Sequence, residues 1–289
     1  MRKGLIILTV LMLSLGTFAQ KGGESTYSFL GLTNSARVAA LGGEAVSLMD
    51  DDINLVFHNP ALLTSGMHNN LNLNYINYFA GVNFGYASYA YALENVGNFA
   101  AGMHYINYGT FDRTDEYGVN QGTFRASEYA LNLVYSRALI DTFLTVGVNM
   151  KPIYSSFESY ASFGLAFDIG IIYHNPGTLT SLGFVSKNMG LQLSTYSGTR
   201  ENLPFELQAG ITQGLAHAPF RFSIIYQNLE RWDLTYTTGD SNDFTNTGED
   251  TEVGGFDVFG DKLMRHLVFG LEFLLGENVH IDLGYNYKR

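Results

Sequence analysis

Cysteine is absent from the chain. Its absence excludes a disulfide framework, a thiolate metal site, a cysteine nucleophile and lipid attachment through cysteine. After the first twenty residues no long uninterrupted apolar run occurs, which excludes a protein built of membrane-spanning helices. Charge is scarce too, at 15% of residues, and its balance is acidic, with a net −11. That balance argues against nucleic acid or an anionic lipid surface as the main partner.

Catalytic signatures are missing as well. There is no phosphate-binding glycine loop, no Gly-x-Ser-x-Gly and no His-Glu-x-x-His, so no nucleophile with its base is legible. His58, His68, His104, His174, His217, His266 and His280 are scattered without metal-ligand spacing and read as turn, lumen or interface residues. Asp240, Asn242, Asp243, Glu249, Asp250 and Glu252 suggest a calcium loop. The pattern fails because Phe244 stands where a ligand and then Gly are needed, and a solvated loop is the simpler reading. No cofactor and no metal is expected.

What is present is strand-rich: 32 Gly, 19 Tyr and 21 Phe, with few helix formers. The start is different. Arg2 and Lys3, an apolar run from Leu5 to Leu15, and the small residues Thr17 and Ala19 form a secretory signal peptide over 1–19. The run is too short to span a bilayer, which needs roughly 20 residues.

The next segment, 20–66, lacks both the helical and the two-residue period. Ser35-Ala36-Arg37, Gly42-Gly43, Asp50-Asp51-Asp52 and Asn59-Pro60-Ala61 mark it as turn-rich and packed, or alternatively as an ordinary N-terminal extension. As a plug it would rely on Arg37, Gly42, Gly43, Asp50, Asp52, Asn59 and Pro60. Arg37, flanked by small residues, is placed to pair with Asp50 to Asp52 or with Asp168, or else to face solvent.

From Asn70 onward, over a unit assigned to 67–289, apolar and polar residues alternate as strands require. Leu71, Leu73 and Tyr75 begin the pattern. Strands follow at Val82–Ala92, Phe99–Tyr108, Tyr129–Tyr135, Leu144–Met150, Phe163–Ile171 and, irregularly, Leu182–Leu193. The rest lie at Phe205–Ile211, Phe220–Tyr226, Leu267–Leu275 and Val279–Tyr287. Glu128, Lys151, Asp168, Glu206, Arg221, Glu272 and Asp282 all fall on the face opposite the apolar one. A soluble sandwich would place them so as well. Short turns at Asn95, Asp141, Pro176, Ala218 and Asn278, alternating with generally longer loops, instead suggest a transmembrane antiparallel β-barrel. Tyr and Phe toward strand ends suit interfacial girdles. The count is about eleven, whereas single-chain bacterial barrels have an even number, so a C-terminal truncation or an uncounted hairpin is expected.

The run YSFLGLTNSARVAALGGEAVSLMDDDINLVFHNPALL, followed by MHNNLNLNYINYFAGVNFG, resembles the FadL-like outer-membrane barrels, and among them the PorQ-like components of the type IX secretion system. The match is densest from Tyr27 to about Gly85 and diffuse over the later strands. The resemblance implies an all-β fold, a barrel of fourteen strands with an N-terminal plug in a Gram-negative outer membrane. It also implies a non-enzymatic anchor for a PorZ-like surface protein beside PorU-like and PorV-like components of the complex that processes and attaches exported cargo.

In that reading the loops Gly109–Arg125 and Thr237–Met264 would dock the partner through Tyr117, Phe124, Phe244, Phe256 and Phe259. Alternatively these loops are merely solvated and the barrel rim docks. Two rival functions stay open. One is FadL-like uptake of hydrophobic small molecules, which needs an apolar pocket. The other is a PorV-like cargo shuttle.

Overall fold

The computed structural model describes residues 25–140, 143–234, 255–276 and 279–288. The expected signal peptide, the turn at Asp141, the calcium candidates and most of the Thr237–Met264 loop lie outside them. No helix among the described residues is long and apolar enough to cross a membrane.

The described residues form one antiparallel sheet of eleven strands whose spatial order is the order of the sequence. They are β1 Leu71–Asn77, β2 Asn83–Leu93, β3 Gly97–Thr114, β4 Asn120–Ile140, β5 Leu144–Phe157, β6 Tyr160–Asn175, β7 Thr180–Ser194, β8 Glu206–Gly214, β9 Phe220–Tyr226, β10 Leu267–Leu275 and β11 Val279–Asn286. Among the described residues two α-helices accompany them, α1 Ala36–Ala40 and α2 Gly255–Met264, with short 3-10 turns between. The sheet is open, because β1 and β11 end the order and do not pair with each other. It nonetheless wraps the N-terminal segment. Asn54 accepts hydrogen bonds from Asn72 and Asn74 on β1, and the Gly42 carbonyl accepts one from Asn286 on β11.

Alternation decides what each face meets. On β5, Thr145, Asn149, Lys151, Ile153 and Ser155 are buried against the segment, while Val148 and Met150 on the other face are exposed. Aromatic residues line up across this outer face. Tyr105, Tyr129, Tyr154 and Phe163 are direct neighbours on β3 to β6. Tyr91, Phe99 and Tyr135 form a second row on β2 to β4. On β4 the rows stand at Tyr129 and Tyr135, separated by roughly 20 Å at about 3.3 Å per residue. Leu131 and Leu133 fill the interval.

The inner face depends on strand glycines. A Cβ on Gly147 would meet the Pro60 carbonyl carbon at 2.3 Å, and one on Gly284 the Leu41 carbonyl carbon at 2.2 Å. Only glycine lets the segment's backbone approach the sheet this closely.

Two expectations change. The stretch Gly109–Arg125 is not a loop. β3 and β4 stay paired through Thr110–Arg125, Phe111–Phe124 and Asp112–Thr123, and the connection is the short turn Asp115–Val119. Beyond the ends of β2 and β5 this hairpin has no buried face, so no apolar alternation marks it. Connections at its end of the sheet are also not uniformly long. β5 and β6 join through Glu158 and Ser159, with Glu158 at φ 57.

The irregularity of β7 is a bulge. Val185, Ser186, Lys187 and Asn188 are buried consecutively, and the pairing with β6 shifts between Phe167 and Ile169. The extra residue turns both Lys187 and Asn188 inward, as bulges re-aim side chains.

Candidate functional site

The N-terminal segment is a succession of short, individually capped turns, which is why no period runs through it. Ser35 accepts from the Val38 N–H and starts α1. Asp52 accepts from the Asn54 N–H and starts the 3-10 turn Ile53–Phe57. Asn59 accepts from the Ala61 N–H and starts the turn Pro60–Leu62, with Pro60 at its first position. Each cap satisfies a donor that a helix end leaves free. Gly42 and Gly43, at φ 93 and 95, reverse the chain after α1.

Arg37 is the centre of the first charged cluster. Its guanidinium donates to Asp52 at 3.1 Å, to Asp50, and to Glu272 of β10 at 2.8 Å. Arg221 of β9 completes the cluster, reaching Asp50 at 3.0 Å and Glu272. Glu272 is buried and Arg37 is partly buried. Burial pushes the Asp50 carboxyl up, but hydrogen bonding and attraction from Arg37, then Arg221, outweigh it and hold Asp50 below its ordinary range. Asp50, then Glu272, hold Arg37 in its charged form against the cost of its own burial.

The expected pairing of Arg37 with Asp50 and Asp52 is therefore present, whereas Asp168 is not its partner. Asp168 pairs with Lys151 at 2.7 Å, and both side chains are fully buried. Asp168 also accepts from the Asn188 backbone and from Asn149. Asn149 donates as well to Asn132, whose amide lies 3.0 Å from His104 Nδ1. A third group joins segment to sheet. Lys187 reaches Glu44 at 3.5 Å, Glu44 lies 3.2 Å from His58 Nδ1, and His58 Nε2 lies 3.1 Å from Asn34. The Phe57 ring lies 5.7 Å from the ammonium of each lysine.

Asn59 donates to the Val46 carbonyl at 2.8 Å and lies on Gly170 of β6, so it ties two turns of the segment to the sheet. Of the seven segment residues named in the sequence, Gly43, Asn59 and Pro60 are buried, while Arg37, Gly42, Asp50 and Asp52 are partly exposed. Glu44, Lys187 and Phe57 carry no sequence signal of their own, and His58 stands there only among the scattered histidines. The irregular period of Leu182–Leu193 was the one available signal, since a lysine at a disrupted position is how a bulge reads.

The aromatic candidates scatter. Tyr117 is 82% exposed in the β3–β4 turn. Phe124 lies within β4 and stacks on Phe111 at 5.3 Å, so it stiffens the hairpin rather than standing free. Phe259 of α2 is half exposed, with its ring 5.6 Å from Trp232. Phe244 and the Phe256 side chain lie outside the described residues.

At the end of the sheet away from the short turns, Phe29, Leu32, Tyr78, Val82, Ile106 and Tyr108 line an apolar cavity of about 330 Å³. Among the described residues, Glu272, His280 and Asp282 hold ligand atoms within 4.8 Å of one another. Two arginines already occupy Glu272, so the group reads as an ion-pair cluster rather than a metal site. No family model matches the chain, and no curated protein matches it either.

Proposed function

We propose that the chain is an outer-membrane β-barrel protein whose N-terminal segment plugs the interior, and that it anchors a partner at the cell surface without catalysis of its own. The inversion of polarity carries this reading. Lys151 and Asp168 are 0% exposed inside, while Leu133, Val148 and Ile169 on the outer face are 39%, 46% and 47% exposed. Water would penalise that outer face along nearly every strand; hydrocarbon would not. The two aromatic rows frame the aliphatic band as interfacial girdles do.

The identity of the partner rests on the resemblance to PorQ-like components of the type IX secretion system. It implies a PorZ-like surface protein together with PorU-like and PorV-like members of the attachment complex. The β3–β4 hairpin, tipped by Tyr117, and the Trp232–Phe259 pair supply exposed aromatic anchors for it. A gentle-detergent pull-down from outer membranes with mass spectrometry tests this. Recovery of a large surface protein with sortase components supports the anchor. Recovery of the barrel alone contradicts it, and recovery of exported cargo instead favours a PorV-like shuttle.

One observation favours a second reading, FadL-like uptake of hydrophobic molecules: the apolar cavity floored by Phe29 and Ile106. A long-chain lipid copurifying in that cavity would put uptake first.

A further inference from the structure

The outer face carries a recess where β2, β3 and β4 run side by side toward the short turns. It encloses about 380 Å³ between Tyr89, Tyr91, Phe99, Leu133 and Tyr135, with Ala101 among the lining residues. Small residues form its floor because Ala101 stands opposite Tyr89 on β2 and Leu133 on β4, leaving a gap between taller side chains. Its walls are pinned. Tyr89 Oη donates to Asn69 at 2.7 Å, Tyr135 Oη donates to the Val96 carbonyl at 2.8 Å, and Phe99 packs on Tyr135 at 5.1 Å. A recess with hydrogen-bonded walls keeps its shape when empty, which lowers the ordering cost of filling it.

The rim adds charge of both signs. Arg137 lies two residues beyond Tyr135 on the same outward face, opposite Val146, roughly 7 Å further along the strand. It lines a wider rim cavity together with Glu94 of the β2–β3 turn. Neither makes an ion pair with the other or with any other described residue. A cation and a carboxylate on one rim that pair with no described residue, next to an apolar slot, match a ligand with an acyl chain, a phosphate and an ammonium group.

We propose that this recess and rim hold one glycerophospholipid with an ethanolamine headgroup. Its acyl chain fills the aromatic-walled slot, Arg137 takes the phosphate, and Glu94 takes the ammonium. A glycerol headgroup offers Arg137 the same phosphate but brings no cation to Glu94, and a choline headgroup brings a cation with no N–H for Glu94 to accept. The proposal rests on the membrane reading above and adds a defined lipid on the short-turn side of the bilayer.

Native mass spectrometry of the full chain in detergent tests it, with phosphatidylethanolamine, phosphatidylglycerol or phosphatidylcholine of matched chains added. The ethanolamine lipid is expected to stay bound at collision energies that strip the other two. Arg137→Gln and Glu94→Gln should each lower its bound fraction several-fold, Arg137→Lys should restore part of it, and Ala101→Trp should abolish it by filling the slot. Equal retention of the three lipids, preferential retention of phosphatidylglycerol, or an Ala101→Trp variant that still holds the lipid would overturn the proposal. Flotation with liposomes separates the two levels. A chain that floats but shows no headgroup preference defeats the lipid site alone, whereas one that never floats defeats the membrane reading beneath it.

Discussion

Glu272 on β10 accepts a hydrogen bond from Arg37 of the N-terminal segment at 2.8 Å, across 235 positions of chain. With Arg221 and Asp50 it closes a ring of alternating charge that fastens the segment to the late strands. Replacing Glu272 with Gln removes the charge that both arginines share and should cost about 1.5–3 kcal/mol, the range for hydrogen bonds to charged groups. The urea midpoint in detergent micelles measures it, and protease cutting within 36–63 should rise in parallel. An unchanged midpoint would mean that Asp50 and Asp52 hold Arg37 alone.

Lys151 and Asp168 pair in full burial, and a buried pair that loses one partner leaves an uncompensated charge. Asp168→Asn is expected to destabilise the fold by about 3–5 kcal/mol. The double variant Lys151→Met with Asp168→Leu should recover part of that loss, because it leaves no orphaned charge and only the Asn188 N–H and the Asn149 amide lose an acceptor. Thermal unfolding of both variants compares them directly.

Gly147 and Gly284 admit the segment's backbone where no side chain fits. Gly147→Val should push the Asn59–Pro60–Ala61 turn off the sheet, seen as faster protease cleavage near residue 60. Gly177→Val, in an exposed turn between β6 and β7, should leave cleavage unchanged.

Acid should loosen the segment in a defined window. Asp50 lies below its ordinary value of 3.8 in the folded protein. A depressed carboxylate stabilises the fold above its unfolded value, and that contribution is lost as pH falls below 3.8 through the lower folded value. Protease sensitivity of the segment should therefore stay flat from neutral pH to about 5 and rise below about 4. Asp50→Asn should remove the Asp50 part of that rise.

The two hairpin aromatics should separate structure from docking. Tyr117→Ala touches an exposed turn and should change stability by less than about 0.5 kcal/mol. Phe124→Ala breaks the stack on Phe111, beyond its loss of buried area, at about 0.5–1.5 kcal/mol. If Tyr117→Ala weakens partner recovery while the fold is intact, the hairpin tip is a docking element; if recovery is unchanged, docking lies elsewhere.

Much of the sheet was legible because one face of each strand is apolar and the other polar. Val146, Val148 and Met150 against Asn149 and Lys151 place β5 with no further information. The hairpin beyond Tyr108 was not legible, since both its faces meet solvent and nothing selects alternate residues. Asp50 and Asp52 could be matched with Arg37 because they lie within the same segment. Glu272 could not, because its approach is set by how the sheet curls and not by any local spacing. Lys187 was hidden for a different reason: the bulge that aims it at Glu44 breaks the period that would have assigned it a face.

In a membrane barrel of this kind the outer face meets hydrocarbon and the inner face meets the N-terminal segment. Because the chain has no cysteine, single cysteines can be introduced and spin-labelled without background. Labels at positions 133, 148 and 169, read by paramagnetic resonance after reconstitution in liposomes, should collide readily with dissolved oxygen and poorly with a water-soluble nickel chelate. Labels at 117 and 158, in turns, should show the reverse. Strong nickel collisions at 133, 148 and 169 would place that face in water and contradict the account.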